Sequence, residues 1–178
     1  MGDGLIVFMS VVGQNDRISY RSTRNVAFDM ERTLIIVKPD AVQRGLIGEV
    51  IGRFEARGLK IAAMRFETVS RETAEDHYGE HQGKPFFNDL VNYITSSPSV
   101  LMVLEGPDAI AAARTTIGAT KPSEAAPGSI RGDLGLMIGR NLVHGSDKAE
   151  SAMSEVGRFF GEDLVQYERA VDTWVLES

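Results

Sequence analysis

The chain has 178 residues, no cysteine, 43 % hydrophobic and 25 % charged residues, and a net charge of −6. This composition suits one globular domain and excludes chain-wide disorder, a disulfide scaffold and thiolate chemistry; the lack of cysteine fits a reducing, cytoplasmic setting. The acidic balance gives no general attraction to nucleic acid, although a locally basic pocket can still hold phosphate.

Leu5 to Val12 reads LIVFMSVV, a run far short of the roughly 20 apolar residues that a membrane helix needs. No basic residue precedes it, so it makes a poor signal peptide. Arg17, Arg21 and Arg24 among serines and threonines suggest a transit peptide, and Asp3, Asp16 and Asp29 count against one. Residues 1–30 are read as an extension, either flexible or a mis-assigned start, with the compact domain occupying 31–178.

Thr33 to Val37, TLIIV, has the short β-branched pattern of a buried strand, ended by Pro39, which lacks an N–H. Leu46, Ile47, Val50, Ile51 and Phe54 then share a helical face, and Gly58 suits the residue just past that helix. Residues 60–69 read as a second strand. Ser70 or Thr73 caps a following helix, and Phe86, Phe87, Leu90, Val91 and Ile94 form another stripe up to Pro98. Val100 to Leu104 is a third strand, followed by an alanine-rich helix from Asp108 to Ile117. The stretch 118–135 has no obvious element, a length that in a compact domain usually serves function. Leu136 to Ile138 is the expected fourth strand, and 147–160 the last clear helix, capped by Ser146 or Asp147. The order suggests an α+β sandwich with a ferredoxin-like βαββαβ core, an antiparallel four-stranded sheet covered by helices.

Three histidines are present. His77 and His81 are four apart on one helical face, but no HExxH occurs, so they read as surface or pocket residues and no metal held by protein ligands is expected. His144 lies in GRNLVHGSD, with a glycine after it that permits close approach. An imidazole held by a partner is a competent nucleophile toward phosphorus. No Walker loop and no GxGxxG occurs; the candidate phosphate donors are Lys38, Arg114, Thr120 and Arg131.

These stretches resemble the nucleoside diphosphate kinase family. The matching segments are ERTLIIVKPDAVQRGLIGEVIGRFEARGLK at 31–60, HYGEHQGKPFF at 77–87, SIRGD at 129–133 and GRNLVHGSDKAESA at 139–152. The resemblance implies ping-pong transfer of the γ-phosphoryl group from a nucleoside triphosphate, typically ATP, to a nucleoside diphosphate through a phosphohistidine at His144. It implies that Glu155 accepts a hydrogen bond from the other ring nitrogen and that Ser146 supports this glutamate. Lys38, Tyr78, Arg114, Thr120 and Arg131 would clamp phosphate, with Asn141 in the same pocket. Phe86 would stack on the base, with Leu90 and Ile138 bordering the slot. Mg²⁺ would be held mainly by the nucleotide phosphates, with Asp147 contributing through water. A homo-hexamer or homo-tetramer is expected, without membrane attachment or specific nucleic-acid binding. The alternative is a non-catalytic nucleotide-binding or scaffold protein on the same fold; retention of every residue in the set argues against it.

Overall fold

A computed structural model describes residues 18–21 and 27–176. The apolar run Leu5–Val12 and the other expectations on residues 1–17 and 22–26 lie outside the described residues.

The chain runs through strand β1 (Ile18–Arg21), strand β2 (Ala27–Val37), helix α1 (Pro39–Gln43), helix α2 (Ile47–Ala56) and strand β3 (Lys60–Glu67). Helices α3 (Arg71–His77) and α4 (Phe87–Ile94), strand β4 (Ser99–Pro107) and helix α5 (Ala109–Ile117) follow. Then come helix α6 (Ile130–Leu134), strand β5 (Val143–Gly145) and helices α7 (Ala149–Phe159) and α8 (Asp172–Val175). The core sheet has the order β5-β2-β4-β3, every pairing antiparallel, and β1 pairs with β2 on the same side as β5. The α+β sandwich expected from the sequence is therefore present.

The apolar run TLIIV is continuous because the sheet is covered on both faces. Ile35 and Val37 pack with Met102 and Leu104 under α1, α2 and α5. Leu34 and Ile36 pack with Leu101 and Val103 under α3, α4 and α7. The period of two along each strand thus divides one run between two cores. Helix α2 ends as its glycine suggests: Gly58, at φ 93°, donates to the Glu55 carbonyl, and Leu59 donates to that of Phe54. Phe54 and Leu59 share the same core, completing a Schellman cap. Ser70 caps α3 by accepting from the Thr73 N–H at 3.1 Å.

Three expectations are corrected. The first strand begins at Ala27 rather than Thr33, extending past the apolar run along β4. The fourth strand is not Leu136–Ile138, which are 82 %, 64 % and 58 % exposed; it is Val143–Gly145. Helix α7 starts at Ala149 behind Lys148 with no side-chain cap; of the two expected caps, Ser146 bonds Leu34 and Glu155, and Asp147 bonds Ser151.

Candidate active site

The site grows from the pairing of β5 with β2. His144 stands opposite Ile36, so its side chain shares the face of Ile36, the one covered by α3, α4 and α7. Its neighbours Val143 and Gly145 face the other core, where a Cβ on Gly145 would lie 2.6 Å from Ile117 Cδ1 and 3.2 Å from Ile35 Cδ1. Gly145 thus serves close packing within the protein.

Helix α7 buries Ala152, Val156 and Phe159, and Glu155 sits on the same stripe. The carboxylate meets His144 Nε2, with both oxygens 3.1 Å from it. Ser146 Oγ donates to Glu155 Oε2 at 2.6 Å and accepts from the Leu34 N–H at 3.1 Å. A hydrogen-bonded chain thus runs from the central strand through Ser146 and Glu155 to the imidazole. Burial raises the Glu155 pKa, but the bonds to His144 and Ser146 outweigh it and the net shift is downward. The carboxylate stays ionised against the ring.

Lys38 leaves the end of β2 and is buried, its Nζ donating to Asn141 Oδ1 at 2.7 Å. Its pKa is lowered to about 8, by burial first and by Arg131 second, against the attraction of Asp40. Asn141 in turn donates to the Thr120 carbonyl at 3.0 Å. Arg131 is almost fully buried and donates to the carbonyls of Asn141, Gly118 and Val143. Burial, then Arg114, lowers its pKa to about 10. Arg114 reaches the Gly145 carbonyl at 3.4 Å. The long stretch 118–135 is therefore folded back by Arg131 onto the strand that bears the histidine.

Tyr78 is buried, and its hydroxyl has no hydrogen-bond partner; burial, then Glu155, pushes its pKa up. Phe86 is 49 % exposed at the start of α4, flanked by His81, with Lys84 over its ring. Leu90 is half-buried on α4 and Ile138 is exposed in the loop before β5. Phe86, Leu90 and Ile138 take no part in the hydrogen bonds that join Lys38, Asn141 and Arg131, nor in those that join His144, Glu155 and Ser146.

The nucleoside diphosphate kinase family model matches residues 31–165. The chain belongs to this family. It is 57 % identical over 149 residues to a nucleoside diphosphate kinase of Desulforamulus reducens, covering 83 % of this chain and all of that one. It is 60 % identical over 148 residues to one of Thermomicrobium roseum, covering 83 % and 99 %. Among solved structures, a halophilic nucleoside diphosphate kinase from Halobacterium salinarum in complex with CDP has a TM-score of 0.80 at 48 % identity, covering 83 % of this chain and 99 % of that one.

The matched segment also holds two residues beside the histidine centre: His77, which sequence reasoning leaves between surface and pocket, and Asp40, which it does not single out. His77 is not a surface residue. Its side chain is 2 % exposed, and its ring centroid lies 4.8 Å from that of His144. Its only signal was its place beside Tyr78. Asp40 follows Pro39 in the VKPDAV segment; its carboxylate accepts from the Leu142 N–H and from the Tyr93 hydroxyl.

Proposed function

We propose that the chain is a nucleoside diphosphate kinase that carries the phosphoryl group on His144. What carries the reading is the bond between His144 Nε2 and Glu155, at 3.1 Å to each oxygen. An ionised carboxylate there keeps the ring proton on Nε2, so the lone pair is on Nδ1. Nδ1 attacks the γ-phosphorus of a nucleoside triphosphate; the N–P bond forms, the bond to the β,γ-bridging oxygen breaks, and the diphosphate leaves. The ring becomes cationic while its N–H remains on Glu155. A terminal oxygen of a second nucleoside diphosphate then attacks the same phosphorus and restores the neutral ring.

Lys38, Arg114 and Arg131, with Thr120 and Tyr78, meet the charge on the phosphoryl oxygens. Arg131 has spent three donors on carbonyls and keeps the remaining N–H directions for phosphate. Phe86, Leu90 and Ile138 form the base slot, where stacking accepts any base. This donor set is cationic and offers no oxygen cage, which fits a Mg²⁺ that arrives on the nucleotide and keeps much of its water. Asp147, exposed and with its pKa lowered by a hydrogen bond with Ser151, is the carboxylate that would reach that water. When bound, Mg²⁺ supplies charge neutralisation of the β- and γ-phosphates.

Residues 1–30 are an addition to this domain: the family match begins at residue 31, and the relatives are covered over 99–100 % of their own length. Homo-hexameric or homo-tetrameric assembly from like dimers has a candidate seam in β3, which pairs only with β4 in the described sheet and exposes Met64 and Phe66. No helix among the described residues is long and apolar enough to cross a membrane; the cytoplasmic setting rests on the missing cysteines.

The test is incubation of the full chain with γ-labelled ATP and Mg²⁺. Acid-labile, base-stable label on the wild type, absent in a folded His144→Ala variant, is expected. Equal label on that variant would overturn the assignment.

A further inference from the structure

His77 is a buried polar side chain with no use in the phosphoryl-transfer scheme. Both of its ring nitrogens are buried, and neither has a hydrogen-bond partner. Such a group calls for an explanation, because buried polar atoms are nearly always paired. The ring is aimed at the histidine centre: Nδ1 lies 3.8 Å from Glu155 Oε1, and the same oxygen lies 3.1 Å from His144 Nε2. One ligand atom from each of the three residues falls within 4.8 Å of the others.

Two imidazoles and one carboxylate are a familiar three-ligand set for zinc, with the fourth position left to water. Ligand atoms at 2.0–2.1 Å from a tetrahedral ion stand about 3.3 Å apart. The His77–Glu155 and His144–Glu155 separations, 3.8 and 3.1 Å, bracket that value, and the third stays within 4.8 Å, so closing the set requires the two imidazoles to draw together. His144 is 22 % exposed through its side chain, which leaves the fourth position open to the cleft. Neither ring nitrogen of His77 is committed to a hydrogen-bond partner, so a lone pair is available to ligate. Lys38 and Arg158 oppose a cation there, but Arg158 is paired with Asp76. The set discriminates against Mg²⁺, which prefers oxygen ligands and octahedral geometry.

We propose that His77 Nδ1, His144 Nε2 and the Glu155 carboxylate form a site for a borderline transition-metal ion, Zn²⁺ or Co²⁺, whose binding switches phosphoryl transfer off. The second half rests on the reading of His144 Nδ1 as the nucleophile. A metal ion on Nε2 takes the position of the ring proton. The neutral ring then carries its proton on Nδ1, delivered through water, with no net release. The nitrogen that should attack phosphorus has lost its lone pair, and Glu155 is committed to the ion.

The test uses the full chain and metal alone. Titration with Co²⁺ should give visible absorption of tetrahedral strength that saturates at one ion per chain and is bleached by Zn²⁺. Long-range nitrogen–proton NMR of the wild type with Zn²⁺ should show metal on His144 Nε2 and His77 Nδ1, with the His144 proton moved to Nδ1. His77→Gln should weaken binding by more than about 100-fold, beyond the loss caused by removing an outer partner of a metal site. Label from γ-labelled ATP should fall in proportion to the zinc-loaded fraction, return with chelator, and no longer respond to zinc in His77→Gln. Unchanged ring nitrogens in the wild type, or ions found only at Glu80 and His81, overturn the site. Full labelling with zinc bound at the three residues overturns the switch. An unlabelled metal-free chain would instead overturn the phosphohistidine reading, while the spectra still decide the metal site.

Discussion

The backbone N–H of Leu142 donates to the side chain of Asp40 at 3.1 Å, across 102 residues of sequence. Leu142 is fully buried and holds φ at 69°, a left-handed conformation that costs a non-glycine residue about 1–2 kcal/mol. Its carbonyl is fixed as well, accepting from the Lys38 N–H at 2.8 Å. The other Asp40 oxygen accepts from the Tyr93 hydroxyl at 2.5 Å, and the Arg140 guanidinium covers the Tyr93 ring. The strained turn carries Asn141 on one side and His144 two residues on, so Asp40 sets the spacing between Lys38 and His144.

Asp40→Ala should therefore destabilise the protein by about 3 kcal/mol, the upper range for hydrogen bonds to a charged group, and Tyr93→Phe by about 1 kcal/mol. Urea unfolding gives both values. In the folded Asp40→Ala protein, kcat should fall more than KM rises, since the turn places His144, the proposed nucleophile. Unchanged kcat would leave Asp40 as a stabilising residue alone.

Glu155→Gln should slow phosphorylation of His144 by roughly 10- to 100-fold, in line with outer partners of other functional histidines. Nucleotide affinity should change less. Single-turnover labelling beside a dissociation constant separates the two. Ser146→Ala should act in the same direction and more weakly, because it frees one carboxylate oxygen without removing the charge.

Lys38 predicts an alkaline limit. With its pKa near 8, the free protein loses this positive charge above about pH 8, and kcat/KM for the nucleotide should fall there. The stability effect has the opposite sign. The folded state releases the proton near 8 and the unfolded chain near 10.4, so between those values the unfolded state binds more protons and stability rises with pH. Lys38→Met should remove both slopes. The checks are a pH profile of kcat/KM and urea unfolding from pH 7 to about 10.5, the upper end of that lysine window.

Phe86 stands about half exposed at the mouth of α4, as a stacking platform must. Phe86→Ala should cost about 1–3 kcal/mol of nucleotide binding, similarly for purines and pyrimidines. Calorimetric titration with four different diphosphates tests it; a loss confined to one base would point to specific recognition.

Much of this was legible in the chain. TLIIV announced a buried strand and Gly58 a helix end, whereas His144 stood out as a candidate nucleophile chiefly through the resemblance that GRNLVHGSD carries. The fourth strand was not, since three residues, Val143 to Gly145, are too few to show a period, whereas the exposed LMI at 136–138 imitates one. The meeting of His144 with Glu155, eleven residues on, was legible only by resemblance. Linear spacing says nothing of a helix doubling back along the face that its own strand presents. In the sequence His77 stays open between surface and pocket, because a polar residue on a polar-looking helix gives no sign that its ring turns inward.

Gly145 has one more consequence. A strand of three residues is held to β2 by little, and sliding it by one position would turn the imidazole into the opposite core. There the residue in the glycine's place would drive a Cβ to 2.6 Å from Ile117. The missing side chain therefore works as a key that fits a single notch. Only the alignment that seats hydrogen against Ile117 can close, and that same alignment points the imidazole at Glu155.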